Sequence, residues 1–516
     1  MKKYLLYPLF VTLTPLTFVC AQDATWDGST SDDWSEGANW SGDTVPTGEA
    51  LFDLTSTEVV DLGSPTSITS VEFSGSGAWT FNGSDLTVTG APAASGTRPF
   101  SVYNPVDVTF NNAVVFDVSG GANNEHINFD VNSYGTFDFA GGIKGNSSDP
   151  TFTLRTASKL VGDAGVNVTI GSLTDISSFN WRTANSTLTL AGASSVDVET
   201  HINTGFAGDI TLRLAHDDAL GTGALYINHS NEGGSVVKLE AVDSDRSYSN
   251  NFTTNGGWEN SNVSLFNLTG DHDLTFTGTL QLNRSASFEV DAGLQLEFGG
   301  STTGGNQIIK EGTGVLVLSG ASIGHTGHTY VNEGTLLVNG SFTAQSSPDV
   351  IVTDAAVLGG TGSIGRDVVF TSGTSGGGVL NPGLIGEVGT LTINGGRGLT
   401  LASDSILAFD IGVGGAVDLI NVGGDLILDG ILNLNDLGLD AIGDYTIVSY
   451  SGNLTDNGLV LGSGPDGWVY NIFVDEGNKD VLLQITAIPE ARLASIFMGM
   501  AALWVVIGGR RLKSRE

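Results

Sequence analysis

From residue 22 to residue 486, apolar side chains recur at every second position in short runs, and no long run follows the 3.6-residue spacing of an amphipathic helix. Leu280 and Leu282, Phe288 and Val290, and Leu294, Leu296 and Phe298 alternate with polar neighbours. Val315-Leu316-Val317-Leu318, Leu399-Thr400-Leu401, Leu426-Ile427-Leu428 and Ile431-Leu432-Asn433-Leu434 continue the pattern. Period-two alternation buries one side of a β-strand, and the Gly, Asn, Asp and Ser clusters between the runs are turn chemistry. The body is therefore read as all-β.

A chain of many short strands needs either several sandwiches or one repetitive stack. Sandwiches in series would show linkers, and none is visible. Gly-Thr-Leu recurs at Gly278, Gly334 and Gly389, intervals read as two or three turns of a solenoid with ~20–25 residues per coil. Stacked coils satisfy one another's backbone hydrogen bonds, so a thin core needs no disulfides. The 73 glycines among 516 residues suit corners that need positive φ or close backbone approach. On this reading the mature body forms roughly 18–23 coils. At ~4.8 Å per coil, the rod is on the order of 90–110 Å long.

All four sulfur atoms lie outside this body: Met1, Cys20, Met498 and Met500. Residues 1–21 read as a signal peptide, with Lys2 and Lys3, an apolar run from Leu5 to Val19, and cleavage between Ala21 and Gln22. A lipoprotein would acylate Cys20, but Val19 is a poor residue to precede it. At the other end, Ile488-Pro489-Glu490-Ala491 precedes an apolar stretch from Leu493 to Ile507 and the cations Arg510, Arg511, Lys513 and Arg515. The 17 residues from Leu493 to Gly509 are at the lower edge of a membrane-spanning helix, and the basic end marks its cytoplasmic side.

Seven of the 20 basic residues and one of the 56 acidic residues belong to these two ends, leaving 13 and 55, a formal charge of −42 on the body. So acidic a rod has no basic face for nucleic acid. With a single cysteine there is no disulfide framework or cysteine-rich metal cluster.

Two resemblances follow from these residues. Ile309-Lys310-Glu311-Gly312-Thr313-Gly314-Val315-Leu316-Val317-Leu318-Ser319-Gly320 leads through Thr326-Gly327 to Val331-Asn332-Glu333-Gly334-Thr335-Leu336. This resembles the autotransporter-associated β-strand repeat, and Leu358 to Gly365, Leu380 to Gly383 and Asp444 to Val448 resemble its continuation. The resemblance implies a right-handed parallel β-helix (β-solenoid), displayed or secreted, without a general catalytic centre. Trp26-Asp27-Gly28, Trp34, Asn39-Trp40 and Val45-Pro46 look like the opening segment of such proteins, a cap over the first coil. The terminal element resembles a PEP-CTERM sorting signal, with Pro489, Glu490, Ala491, Arg510 and Arg511 as its signal residues and Ala491 standing where a second proline is usual. That resemblance implies an exosortase-like processing enzyme as partner and transient contact with the inner membrane through the C-terminal helix. The expected organisation is a signal peptide (1–21), a Trp-rich cap (22–60), a divergent solenoid (61–305), a repeat-type solenoid (306–486) and a sorting tail (487–516).

Candidate chemistry is thin. His325 and His328, with Glu333 nearby, could be drawn as metal ligands, but a zinc site needs three or four convergent donors, and both histidines read as variable turn positions. His216 beside Asp217 and Asp218 reads as a solvated turn, because adjacent strand residues point to opposite faces. Gly423-Gly424-Asp425 lacks the full calcium-binding nonapeptide repeat. The chain is expected to have no cofactor, no metal and no catalytic residues. It is expected to act in adhesion or as a matrix scaffold on a Gram-negative-type surface, with extracellular polysaccharide as partner. The alternative is a carbohydrate-active β-helix enzyme, a polysaccharide lyase or glycosidase, which requires paired carboxylates at a set separation, or carboxylates with calcium and a basic residue.

Overall fold

A computed structural model describes residues 21–486, apart from internal stretches at 90–99, 118–125, 146–152 and 157–165 and a number of shorter ones. The chain winds into a three-faced parallel β-solenoid. The second face is one unbroken ladder of 17 strands among the described residues, running from Thr57–Leu62 to Leu454–Asp456. The first face is a 12-stranded ladder from Ala24–Thr25 to Thr302–Gly304. Ile323 bridges to Thr302 and to Phe342, which carries this face into a second sheet. The third face is built from a 5-stranded and then a 10-stranded ladder.

The alternating runs explain this geometry. Leu280–Leu282, Ser285–Val290 and Gln295–Phe298 are successive strands on the first, second and third faces of one coil. Each directs its apolar members inward, so Leu280, Leu282, Phe288, Val290, Leu296 and Phe298 are all buried. Like residues then stack from coil to coil. Phe81, Phe110 and Phe139 form a column on the second face with ring centroids 4.5 and 5.4 Å apart. Phe266 and Phe288 repeat the arrangement at 5.2 Å, and Phe276 and Phe298 at 5.9 Å. Full burial of each such ring contributes about 1.5–3 kcal/mol.

The coils are less regular than the sequence suggests. Their length runs from 18 residues, where Val350 pairs with Val368, to 31, where Gly135 pairs with Val166. The three Gly-Thr-Leu segments are not equivalent rungs. Leu280 and Leu391 lie in first-face strands, whereas Leu336 lies on the third face. The second-face ladder also falls short of the expected 18–23 coils, and at ~4.8 Å per rung it extends on the order of 77 Å. The reason is that corner loops absorb many residues without adding a rung.

Both ends depart from plain coils. Trp26, Trp34 and Trp40 are buried in edge-on contact, with Trp40 5.0 Å from Trp26 and 4.7 Å from Trp34, and all three pack on Phe52 of the first complete coil. Asn39 holds the loop between them: its side-chain oxygen accepts from the Thr30 and Ser31 amides, and its amide donates to the Asp33 carbonyl. At the far end, Asp480–Ile485 runs antiparallel to Gly443–Tyr450 and pairs with Tyr470–Asp475. This terminal hairpin was not expected from the parallel repeat.

Candidate functional site

The histidines singled out in the sequence have separate structural jobs. His325 is fully buried, not a turn residue: its Nε2 lies 3.0 Å from Thr329 Oγ1 and 3.1 Å from an Arg366 guanidinium nitrogen. Arg366 is also buried; it donates to the carbonyls of Gly327 and His325 and lies 4.8 Å over the Phe342 ring. Burial, and then the neighbouring guanidinium, push His325 down to about 3, so the imidazole is neutral and accepts from Arg366. This pairing is not legible in the sequence because Arg366 comes two coils later. His328 instead turns its Nδ1 to the Asp349 amide at 3.1 Å. Among the described residues, no group of three or more His, Cys, Asp or Glu converges on a point that could hold a metal ion.

His216 accepts the Asp218 amide at 3.0 Å, and Asp217 pairs with Arg246 at 2.7 Å. Asp217 and Asp218 are exposed, and the Tyr248 hydroxyl ties the turn to the next coil through the His216 carbonyl at 2.8 Å. Asp425 of the Gly-Gly-Asp segment accepts the Asn453 amide at 2.7 Å, a corner-to-corner tie.

Asp410 and Asp418 come together as a buried carboxyl pair. Asp418 accepts from the amides of Asp410 at 2.8 Å and Gly389 at 2.7 Å, while Asp410 accepts from the Gly386 amide and the Asn435 side chain. Burial pushes Asp418 up to about 7 against those amide donors. Both residues are buried, and their oxygens are engaged in bonds that close the loop before Thr390–Ile393. The arrangement is that of a structural lock rather than of two carboxylates flanking an open cleft.

The solvent-facing side of the first face carries a different constellation. Asn180, His201, Tyr226, Thr253, Gln281 and Thr303 occupy equivalent positions on six successive strands; Thr253 is buried and the other five are half-buried. Beside them run Asn203, Asn228 and Asn255. His201 and Tyr226 stack with centroids 4.5 Å apart and planes 8° from parallel. Glu199 lies 3.4 Å from both the His201 ring and the Tyr226 hydroxyl, and Asn228 lies 3.3 Å from His201 Nδ1. Burial lowers the His201 pKa, with Glu199 opposing, so the ring is neutral near pH 7. Burial and then Glu199 raise that of Tyr226, which keeps its proton. Farther along, Asn283 donates to Asn255 and Gln281 to Asn283, both at 2.8 Å, and Asn203 bonds Asn180.

The result is an amide-rich strip, crossed by a two-ring aromatic ridge and repeating at the strand spacing of ~4.8 Å. It offers donors and acceptors in register, with an apolar rim at the rings. Sequence reasoning missed it because its signal, asparagines at 203, 228, 255 and 283, emerges only once the coil lengths are known. Among the sorting residues, Ala21 and Gln22 are exposed, and the Gln22 carbonyl takes the amides of Thr47 and Gly48. Pro489, Glu490, Ala491, Arg510 and Arg511 lie outside the described residues, as does the apolar stretch between them. Among the described residues, no helix is long and apolar enough to cross a membrane.

No protein-family model matches the chain. A segment of 97 residues, 17% of the chain, is 46% identical to the "Adhesin BmaC autotransporter" of Brucella suis biovar 1 (strain 1330). That segment spans 3% of the relative's own length. The local similarity and the parallel solenoid together fit an autotransporter-type repeat protein.

Proposed function

We propose that this chain is a non-catalytic, surface-displayed rod that adheres to extracellular polysaccharide or scaffolds it, using the amide strip of the first face. The observation that carries this reading is the His201–Tyr226 stack set among in-register amides. Sugar hydroxyls pair well with amide groups, and the C–H faces of sugar rings pack on aromatic edges. A strip repeating every coil engages a polymer through many weak contacts at once, so avidity replaces a single deep pocket. The similarity to a protein named as an adhesin supports a cell-surface role of the same kind.

In this reading, cleavage between Ala21 and Gln22 frees the first residue to bond the cap, and residues 22–60 close the rod. Residues 61–305 and 306–486 form its two solenoid segments. Residues 487–516 form a sorting tail, in which Pro489, Glu490 and Ala491 are read by an exosortase-like enzyme while the helix before Arg510 and Arg511 holds the precursor in the inner membrane. Mass spectrometry of the C-terminal peptide tests the sorting: an end near Pro489 supports it, and an intact Arg510–Arg511 terminus in mature protein contradicts it.

Adhesion is tested by measuring the affinity of the protein for polysaccharide from the host's own matrix, with and without His201→Ala and Tyr226→Ala. Loss of an aromatic contact of about 0.5–1.5 kcal/mol per ring predicts a weakening of roughly 5- to 150-fold for the double variant. Unchanged affinity in the double variant overturns the assignment of the strip.

A further inference from the structure

The two rings of the first-face strip share one acceptor. The carboxylate oxygens of Glu199 lie 3.4 Å from His201 Nε2 and 3.4 Å from the Tyr226 hydroxyl, one oxygen to each. A carboxylate only accepts, so both rings donate to it, and the His201 Nδ1 lone pair is left to accept from the Asn228 amide at 3.3 Å. Glu199 therefore fixes the tautomer of one ring and the hydroxyl direction of the other.

The carboxylate is not used up by this. Its side chain is 50% exposed, so a ligand can reach it. The two ring donors fill about half of its roughly four lone-pair sites. With the ring donors already engaged, the rim of the stack offers a ligand mainly acceptors, and the groups that meet it there must be donors.

Charge narrows the class further. The six first-face strands from Ser178–Trp181 to Thr302–Gly304 hold one carboxylate, Glu199, and no Lys or Arg. Arg155, on the same ladder, is paired with Asn180, so it stands two rungs or ~9.6 Å from His201. Arg284, at the corner after Leu280–Leu282, turns to the His229 carbonyl at 3.4 Å. An anionic group at the stack thus meets a carboxylate, with no counter-charge on that strand or on either neighbour.

On the reading of the first face as a glycan strip, we infer that Glu199 is its specificity-determining residue and that the glycan it admits is uncharged. Two neighbouring hydroxyls of a hexose unit donate to the carboxylate, one to each oxygen, while the sugar's C–H surface packs on the edges of His201 and Tyr226. A uronate unit, which carries a carboxylate where the neutral sugar has its C6 hydroxymethyl group, is turned away by repulsion.

The test is titration calorimetry on the full-length protein with a β-1,4-linked mannose hexamer and a β-1,4-linked mannuronate hexamer, which differ only at C6. At 0.15 M salt, charges farther than ~8 Å are largely screened, so the acidity of the rod as a whole adds little. The mannose hexamer is expected to bind the parent protein at least about fivefold more tightly than the mannuronate, the factor that two like charges ~4 Å apart impose even in bulk water. Glu199→Gln, which keeps a carbonyl acceptor, retains most of the mannose affinity and brings the ratio close to one. Glu199→Ala loses mannose affinity as well, and Asp466→Asn, an exposed acid at the far end of the chain, keeps the parent ratio. Mannuronate binding as tight as mannose binding, or no binding of the mannose hexamer, overturns the proposal. So does a ratio that Glu199→Gln leaves unchanged, the mark of a carboxylate that only props the rings, or one that Asp466→Asn shifts equally. Binding of the host's matrix polysaccharide, compared between the parent protein and the His201→Ala, Tyr226→Ala double variant, judges the strip itself, so the two assignments fail separately.

Discussion

Replacing Phe110 with alanine tests the stacked-core account at its most regular point. Phe110 is fully buried on Asp107–Phe110, between the strands Ala78–Gly83 and Gly135–Phe139. Its ring lies 4.5 Å from Phe81 at 15° and 5.4 Å from Phe139 at 5°, with Phe100 at 6.0 Å. Truncation removes a buried aromatic and leaves a cavity that two flat rings cannot easily close, a loss of about 3–5 kcal/mol. Each lost stacking partner adds about 0.5–1.5 kcal/mol beyond area burial, part of it already inside that figure, so about 4–6 kcal/mol is expected. A solenoid couples each coil only to its neighbours, so the loss is local. Hydrogen exchange by mass spectrometry reads it directly. Amides of these three strands should exchange ~10³-fold faster or more, at about 1.4 kcal/mol per tenfold, while Asp480–Ile485 keeps its parent rate. A drop below about 1 kcal/mol, or one spread evenly over the rod, would refute coil-by-coil stacking as the source of stability.

Three further outcomes follow from the same geometry. Asp418 keeps its proton up to about 7 in the fold against 3.8 as its ordinary value, so between those values the native state holds a proton that the unfolded chain has released. The stability of the C-terminal coils should therefore fall as pH rises through that window, by at most about 1.4 kcal/mol per pH unit, and Asp418→Asn should flatten the slope in urea titrations. Arg366→Ala leaves the carbonyls of His325 and Gly327 short of a donor and opens a void beside Phe342; a loss of about 2–4 kcal/mol is expected in local exchange at Thr329–Val331. Trp40→Ala removes the ring that touches Trp26, Trp34 and Phe52, and should cost about 3–5 kcal/mol at the first coil, seen as a red shift in tryptophan emission.

What the sequence reveals and what it hides have physical causes. Alternation at Leu280 and Leu282 or Phe288 and Val290 identifies strands because the pleat has period two, and those residues do face the core. Coil register is different: the corners vary so much in length that the Gly-Thr-Leu segments, though nearly evenly spaced, fall on different faces. The histidine doublet shows the same limit. His325 and His328 are three residues apart, yet one bonds Arg366 in the core and the other an amide at the rim. The amide strip was hidden for a related reason: His201 and Tyr226 become neighbours only when a coil of 25 residues is stacked.

We propose that the first face holds a glycan along the stacked coils. Hydrogen exchange of the protein with and without its host's matrix polysaccharide tests this most directly. Slowed exchange is expected on the first-face strands Glu199–Asn203, Leu225–His229 and Leu280–Leu282, with Asp107–Phe110 on the second face unchanged. Protection confined to other faces, or none at saturating polysaccharide, would contradict it.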